Sequence, residues 1–437
     1  MIWHPGRALA AARHDELARN AAAVLTLRVV SIALEFVTGL VLARWLLATG
    51  YGVYAYVISW VTLLAVPATA GFDRLMLRES GALGARREWG QLAGLHRRAR
   101  EIVLAAGFAI VGLGFVTADR WLGMSPGGGL TQAFRIGLLG IPFIAWSRLH
   151  VAGLQGLGQP VRAGLAEGVL QPVFLLAGIA AIAGADMAPS AVRAVAVYAG
   201  AVVISCTVAT ILMRRALPAD AHAVPREFRT RVWLRQALPF VFMLGMNVLL
   251  THTDVVMLGW LDSATTSGIY RIAWQVAAVT ALPLAAMNAS FAPRITMAHA
   301  AGNLPQLEAE ARRAARLTLL MSLPIAAVLW LAGGRILAIF GAPFTAGYAS
   351  LAILTFGQLA NAAAGSVGYL LIMTGHERAA AAGLGAAAVS NVLLNAWLIP
   401  ILGMEGAALA SCATLIGLNV AFAMLVRRRL GLRTILL

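Results

Sequence analysis

The chain contains no lysine, so all 34 of its basic residues are arginine. Without lysine there can be no Gly-x-x-x-x-Gly-Lys-Ser/Thr phosphate loop, which excludes ATP hydrolysis by that device. Cysteine is nearly absent: Cys206 and Cys412 both fall inside apolar runs, so no disulfide framework is expected. Charge is scarce as well. Charged residues make up 12% of the chain, about half the share found in a soluble domain. Long polar loops are missing on one side of the apolar runs, which leaves no room for an extracytoplasmic catalytic domain. The missing lysine accompanies abundant Ala, Gly and Arg and reads as genome composition rather than selection for guanidinium chemistry.

What is present is apolar sequence, with 60% hydrophobic residues and a mean hydropathy of +0.81. Twelve runs fill most of the chain, over 22–47, 53–70, 102–117, 130–146, 165–183, 194–213, 238–261, 268–292, 317–332, 348–373, 379–401 and 406–425. A bilayer span needs about 20 mostly apolar residues, because lipid offers the backbone no hydrogen-bond partner. The expected fold is therefore all-α: a polytopic membrane protein of about twelve transmembrane helices. The third and ninth runs are the shortest.

Arginines cluster in alternate gaps, as at Arg86, Arg87, Arg97, Arg98 and Arg100, at Arg214, Arg215, Arg226, Arg229, Arg231 and Arg235, and at Arg427–Arg429. Only Arg120, Arg193 and Arg335 lie in or beside the opposite loops. Cytoplasmic loops retain basic residues, so both termini are expected in the cytoplasm. The net charge of +16 is thereby explained by topology. The basic clusters lack interleaved aromatics, and no nucleic-acid partner is expected. Arg7, Arg13 and Arg19 precede a first run too long for a signal-peptide core, so that run reads as an uncleaved span.

The chain repeats at an offset of about 215 residues. Trp45-Leu46 returns as Trp260-Leu261, and Gly52-Val53-Tyr54 as Gly268-Ile269-Tyr270; Gly158–Arg162 has a looser echo in Gly375–Arg378. The expected organisation is a cytoplasmic N-terminus (1–21), a six-helix bundle (22–213), a basic linker (214–237), a second six-helix bundle (238–425) and a cytoplasmic C-terminus (426–437). Parallel six-span repeats imply two bundles around a central cavity that opens to alternate sides.

The stretch Leu42–Ala55 resembles the first hairpin of the polysaccharide-transporter and O-antigen flippase family, with Ala48-Thr49 where that family usually has a Leu-Gly step. This family belongs to the superfamily of multidrug antiporters and lipid II flippases. Asp254–Gly259 with Gly268-Ile269-Tyr270, and Ile339–Phe344, resemble it too. The two additional spans usual in lipid II flippases are absent. The resemblance implies a non-enzymatic flippase without cofactors. Its substrate would be an undecaprenyl-pyrophosphate-linked oligosaccharide for O-antigen, other lipopolysaccharide, capsule or exopolysaccharide. Coupling would be to a cation, H+ or Na+, with glycosyltransferases and a polysaccharide polymerase as pathway partners.

Polar groups inside spans are costly and mark candidate sites. Arg28, Ser31, Glu35 and Thr38 share one face of the first span. They line a cavity, with Arg28 meeting pyrophosphate and Glu35 binding the coupling ion, or else form a buried charge pair. In the seventh run Asn247, Thr251 and Asp254 share a face, with His252 alongside. Asp254 is either the second coupling acid or an interfacial acid paired with Arg271. Arg271 and Gln275, one turn apart, and Asn361 complete the substrate-binding candidates. Glu167, Gln171, Asn288, Gln358, Asn391 and Asn395 serve sugars or hold helices together. Arg44 and Arg135 read as snorkelling side chains or, with Arg271, as a string of cations that receives pyrophosphate and sugar. Pro67, Pro142, Pro172, Pro283 and Pro324 are candidate kinks. The competing function is a cation-coupled multidrug antiporter, which several intramembrane arginines disfavour. A polymerase or ligase is disfavoured by the short outer loops. A major-facilitator transporter is disfavoured because Gly71–Arg74 is only a fragment of that family's loop motif.

Overall fold

The computed structural model describes residues 5–121, 128–217 and 224–432, and every regular element among them is helical. By length and composition, nine of the described helices can cross a membrane. The count is ten when the helix pair over Ala342–Ala364 and Val367–Met373, bent by 46°, is taken as one span. Two of the nine are double. The first, α1 (Pro5–Thr69), holds a 47-residue apolar stretch. At 1.5 Å per residue that is roughly 70 Å, more than twice the hydrocarbon thickness. It breaks at Leu47, whose φ of 59° no helix accommodates. The last, α15 (Glu377–Leu430), has 54 residues and breaks at Gly403, φ 57°. With these two breaks the described residues supply twelve candidate spans.

Two compact units form. One comprises Met1–Val41 and Leu64–Val241, the other Leu42–Leu63 and Phe242–Leu437. The first unit contains α2 (Phe72–Ala85), α3 (Trp89–Trp121), α4 (Gly129–Leu139), α5 (Ile141–Gly156), α6 (Pro160–Gly164), α7 (Gln171–Gly184) and α8 (Ala191–Ala216). It also holds the start of α9 (Thr230–Leu261). One of its apolar clusters joins Val151, Leu154, Ala163, Ala166, Ala209 and Met213. The second unit contains the rest of α9, then α10 (Ala264–Ala277), α11 (Leu282–Ala300), α12 (Leu304–Phe340), α13 (Tyr348–Ala364), α14 (Val367–Met373) and α15. Here Phe291, Ile295, Leu307, Leu370, Phe422 and Val426 share a core.

Several helices overrun their apolar runs. The third run extends back to Trp89 and the ninth to Leu304, because helices continue into water where hydropathy no longer registers them. At the latter, Asn303 accepts from the Gln306 amide at 3.2 Å, capping α12. The amphipathic α2 has no counterpart among the apolar runs. It buries Phe72, Leu75, Met76 and Leu83 but spans only 14 residues.

The prolines divide into two kinds. Pro142, Pro172 and Pro283 stand in the first turns of α5, α7 and α11, each directly after a break in its span. There a missing N–H costs nothing. Pro67 and Pro324 sit inside continuous helices.

The repeated glycines turn out to be neighbours. A Cβ on Gly52 would stand 1.9 Å from the Ala264 carbonyl oxygen, and one on Gly268 would stand 2.6 Å from Gly52 Cα. Backbones this close exclude any side chain, which explains why the same residue recurs at both positions. The following tyrosines, Tyr54 and Tyr270, are both buried.

Candidate functional site

The most enclosed acidic side chain among the described residues of the second unit is that of Asp254 on α9, only 2% exposed. Its carboxylate receives the Tyr270 hydroxyl of α10 at 2.6 Å, the Asn395 amide of α15 at 2.7 Å, and the Ser411 hydroxyl. Asn395 also donates to Asn391 Oδ1 at 3.1 Å, and Asn391 donates to Ser411 at 3.4 Å. All of these partners are neutral. No ion pair joins Asp254 to Arg271 among the described residues. An ionised carboxylate buried without a countercharge is expensive, so this one calls for a proton or a bound cation. One further observation points the same way. Asn395 Oδ1 is buried with no donor to satisfy it. With Asp254, Asn391 Oδ1 and Ser411 Oγ it makes a group of hard oxygen atoms of the kind small cations prefer.

The break at Gly403 builds this cluster. Asn391 and Asn395 lie on the limb of α15 before it and Ser411 on the limb after it. The spacing of the two asparagines is visible in the sequence, whereas the roles of Ser411 and Tyr270 are not. Asn247, expected on the same face as Asp254, is exposed, and Thr251 bonds back to the Asn247 and Val248 carbonyls. The shared face of α9 therefore divides into an enclosed end and an open one. His252 approaches Ser59 at 3.4 Å.

Elsewhere in this unit, the Arg271 guanidinium lies 4.8 Å over the Trp274 ring, and its Nη1 is buried without a hydrogen-bond partner. Gln275 follows one turn later on α10 and is half-buried. Asn361 accepts from Asn419 at 3.0 Å and donates to Gln358 at 3.5 Å, linking α13 to α15. Arg44, which is exposed, donates to the Ile339 carbonyl at 2.7 Å. It thus closes the C-terminal turn of α12, where a cation complements the helix dipole.

In the first unit the stripe on α1 is split by exposure. Ser31 and Thr38 are buried, whereas Arg28 and Glu35 are exposed. Ser31 donates to the Leu27 carbonyl at 2.8 Å and packs on Gly168, where an added Cβ would meet its Oγ at 2.1 Å. Gly168 belongs to a π-helical turn, Leu165–Leu170, between α6 and α7. Such turns release backbone groups from the helix ladder. Ser205 of α8 donates to the carbonyl of Ala166 in this turn at 2.5 Å. Beside it lies a polar cavity of about 90 Å³ lined by Ser147, Arg148, Glu167, Gln171, Tyr198 and Ser205.

Comparison with known proteins places this geometry. The MatE family model matches residues 239–397, and the polysaccharide biosynthesis protein model matches residues 156–299. No curated protein matches the sequence. Among solved structures, the chain resembles an inward-facing multidrug resistance MATE family transporter of the MOP superfamily with a TM-score of 0.75 at 15% identity, over 94% of this chain and 98% of that one. It resembles the lipid II flippase MurJ in an inward closed conformation with a TM-score of 0.72 at 12% identity, over 92% and 87%. A third similar structure is a MOP superfamily transporter from Pyrococcus furiosus, with a TM-score of 0.61 at 15% identity over 94% and 93%; its reversed binding-pocket polarity suggests a different function for that protein. The chain is a multi-pass membrane protein, helical throughout its described residues, and nearly its whole length takes the fold of that MATE family transporter and of MurJ.

Proposed function

We propose that this protein is a flippase of a bacterial inner membrane, with both termini cytoplasmic. It translocates undecaprenyl-pyrophosphate-linked oligosaccharide for surface polysaccharide synthesis, by alternating access and without enzymatic chemistry. Glycosyltransferases supply its substrate and a polymerase consumes its product. The observation that carries the substrate class is the buried, unpartnered Nη1 of Arg271. An unspent guanidinium donor inside a span suits the oxygens of a pyrophosphate and would repel an organic cation. Gln275, Asn247 and Asn361 serve the sugar in this reading, with Arg28 and Ser31 acting from α1. The Asp254 cluster takes the coupling cation, H+ or Na+, with Glu35 as the corresponding acid of the first unit. The match of residues 156–299 to the polysaccharide biosynthesis model supports the reading.

The second reading is a cation-coupled multidrug antiporter, favoured by the MatE match and by the Asp254 carboxylate. One set of strains separates the two. Cells lacking the protein should accumulate lipid-linked repeat units on the cytoplasmic face, and Arg271→Ala should fail to restore export while remaining at normal levels in the membrane. Normal surface polysaccharide in the deletion strain, together with raised drug sensitivity, would select the antiporter.

A further inference from the structure

The first unit holds a larger cavity that the transport reading does not use. It measures about 470 Å³ and is lined by His96, Arg97 and Arg100 of α3, His150 of α5, Arg214 of α8 and Arg226 just before α9. Charge topology explains why arginines lie on this side of the membrane. It does not explain why three separate segments aim them at one hollow. Among the described residues, none of those lining it is acidic. The nearby Glu101 is engaged on the helix surface by Arg97 at 2.9 Å and Arg98 at 3.0 Å, and Arg98 is further held over the Phe228 ring at 5.1 Å. Arg100, Arg214 and Arg226 have no ion pair among the described residues.

The inner wall is built with equal care. His150 is 8% exposed, and its Nδ1 donates to the Trp146 carbonyl at 2.9 Å, which leaves Nε2 to accept from the Trp146 indole at 3.3 Å. The His96 ring is wedged so tightly that a Cβ on Gly153 would touch its Cε1 at 3.2 Å. Its Nε2 is buried with nothing to bond. The hollow is therefore rich in donors and, among the described residues, is lined by no anionic acceptor.

Its depth identifies the ligand's source. The apolar run of α3 begins at Ile102, just past Arg100. That of α5 ends at Trp146, and that of α8 ends at Met213, just before Arg214. Three apolar runs thus stop at this cavity, which sets it at headgroup level, with Trp146 at the interface where tryptophan concentrates. Basic pockets between helices on the cytoplasmic side bind anionic headgroups, and guanidinium forks match phosphate oxygens. The volume falls within the range of small-ligand sites.

We infer that this cavity binds the phosphate of an anionic phospholipid headgroup from the leaflet that the arginines face. The full-length protein in neutral detergent, titrated with phosphatidylglycerol, should gain thermal stability in a saturable manner and should not respond to phosphatidylcholine. Arg100→Gln/Arg214→Gln should weaken that response by roughly 25-fold, at about fivefold per arginine. Arg427→Gln/Arg428→Gln removes the same charge from the C-terminal end of α15 and should leave it intact. If the first double variant does not accumulate, Arg226→Gln alone should show the smaller, roughly fivefold loss. Equal weakening in both double variants would reduce the effect to diffuse surface charge and overturn the site. So would a wild-type protein indifferent to phosphatidylglycerol. Stabilisation by inorganic phosphate or pyrophosphate with no response to phosphatidylglycerol would overturn the lipid and assign the site to a soluble phosphorylated compound.

Discussion

Each unit carries an acid on a span within a stripe of polar residues at helical spacing, and the two have opposite fates. Asp254 is sealed by three neutral donors from α10 and both limbs of α15. Glu35 is exposed on α1, while its stripe-mates Ser31 and Thr38 are buried. Helical periodicity puts residues on a face, but only neighbouring helices decide whether that face is closed. The second unit closes its face because the break at Gly403 returns the chain and brings Ser411 back to Asn391. In the first unit the corresponding interruption is the π-helical turn at Leu165–Leu170, which opens a polar cavity beside a liberated carbonyl.

The comparison can be broken at four places. The largest effect is expected from Asp254→Asn, which removes the charge and keeps the shape: complementation of polysaccharide export should be abolished with protein levels unchanged. Near-normal export by this variant would show that the sealed acid is structural. Gly52→Ala comes next, because its Cβ meets a backbone oxygen that has nowhere to go. A loss of about 3 kcal/mol, the upper end of overpacking costs, should appear in the unfolding of the detergent-solubilised protein. Ser411→Ala deletes one hydrogen bond to a carboxylate, worth about 1.5–3 kcal/mol. In transport assays the cation concentration for half-maximal rate should rise about tenfold, and Ser411→Thr should restore it, whereas a purely structural serine would leave this concentration unchanged. The smallest effect is expected at Ser205→Ala. Loss of the bond to the Ala166 carbonyl should cost about 1 kcal/mol of stability and leave cation dependence alone.

Much of the fold was legible. The spans could be read because lipid forbids unpaired backbone, so each crossing has to be written as a long apolar run. Pro142, Pro172 and Pro283 marked real breaks because a ring without an N–H favours a helix start. The observed break at Leu47 falls inside Leu42–Ala55, the stretch whose resemblance is to a hairpin. Other features were out of reach. Hydropathy lost the polar beginnings of α3 and α12 and all of α2, since an amphipathic or solvated helix carries no long apolar run. The end of α12 beside Arg44 could not be read from spacing. The pairing of Gly52 with Gly268 shows the same divide: the repeat is plain in the sequence, yet nothing in it says that the two copies touch.

The sequence by itself determined the solvent, the number of crossings and the side on which charge collects, because each of these follows from the cost of exposing backbone or charge to lipid. Only the tertiary structure decided which polar residues meet. Asp254, Tyr270, Asn395 and Ser411 come from three helices up to 157 positions apart. Their union depends on where the chain turns back and how closely glycines let backbones approach, and a single helix face encodes neither.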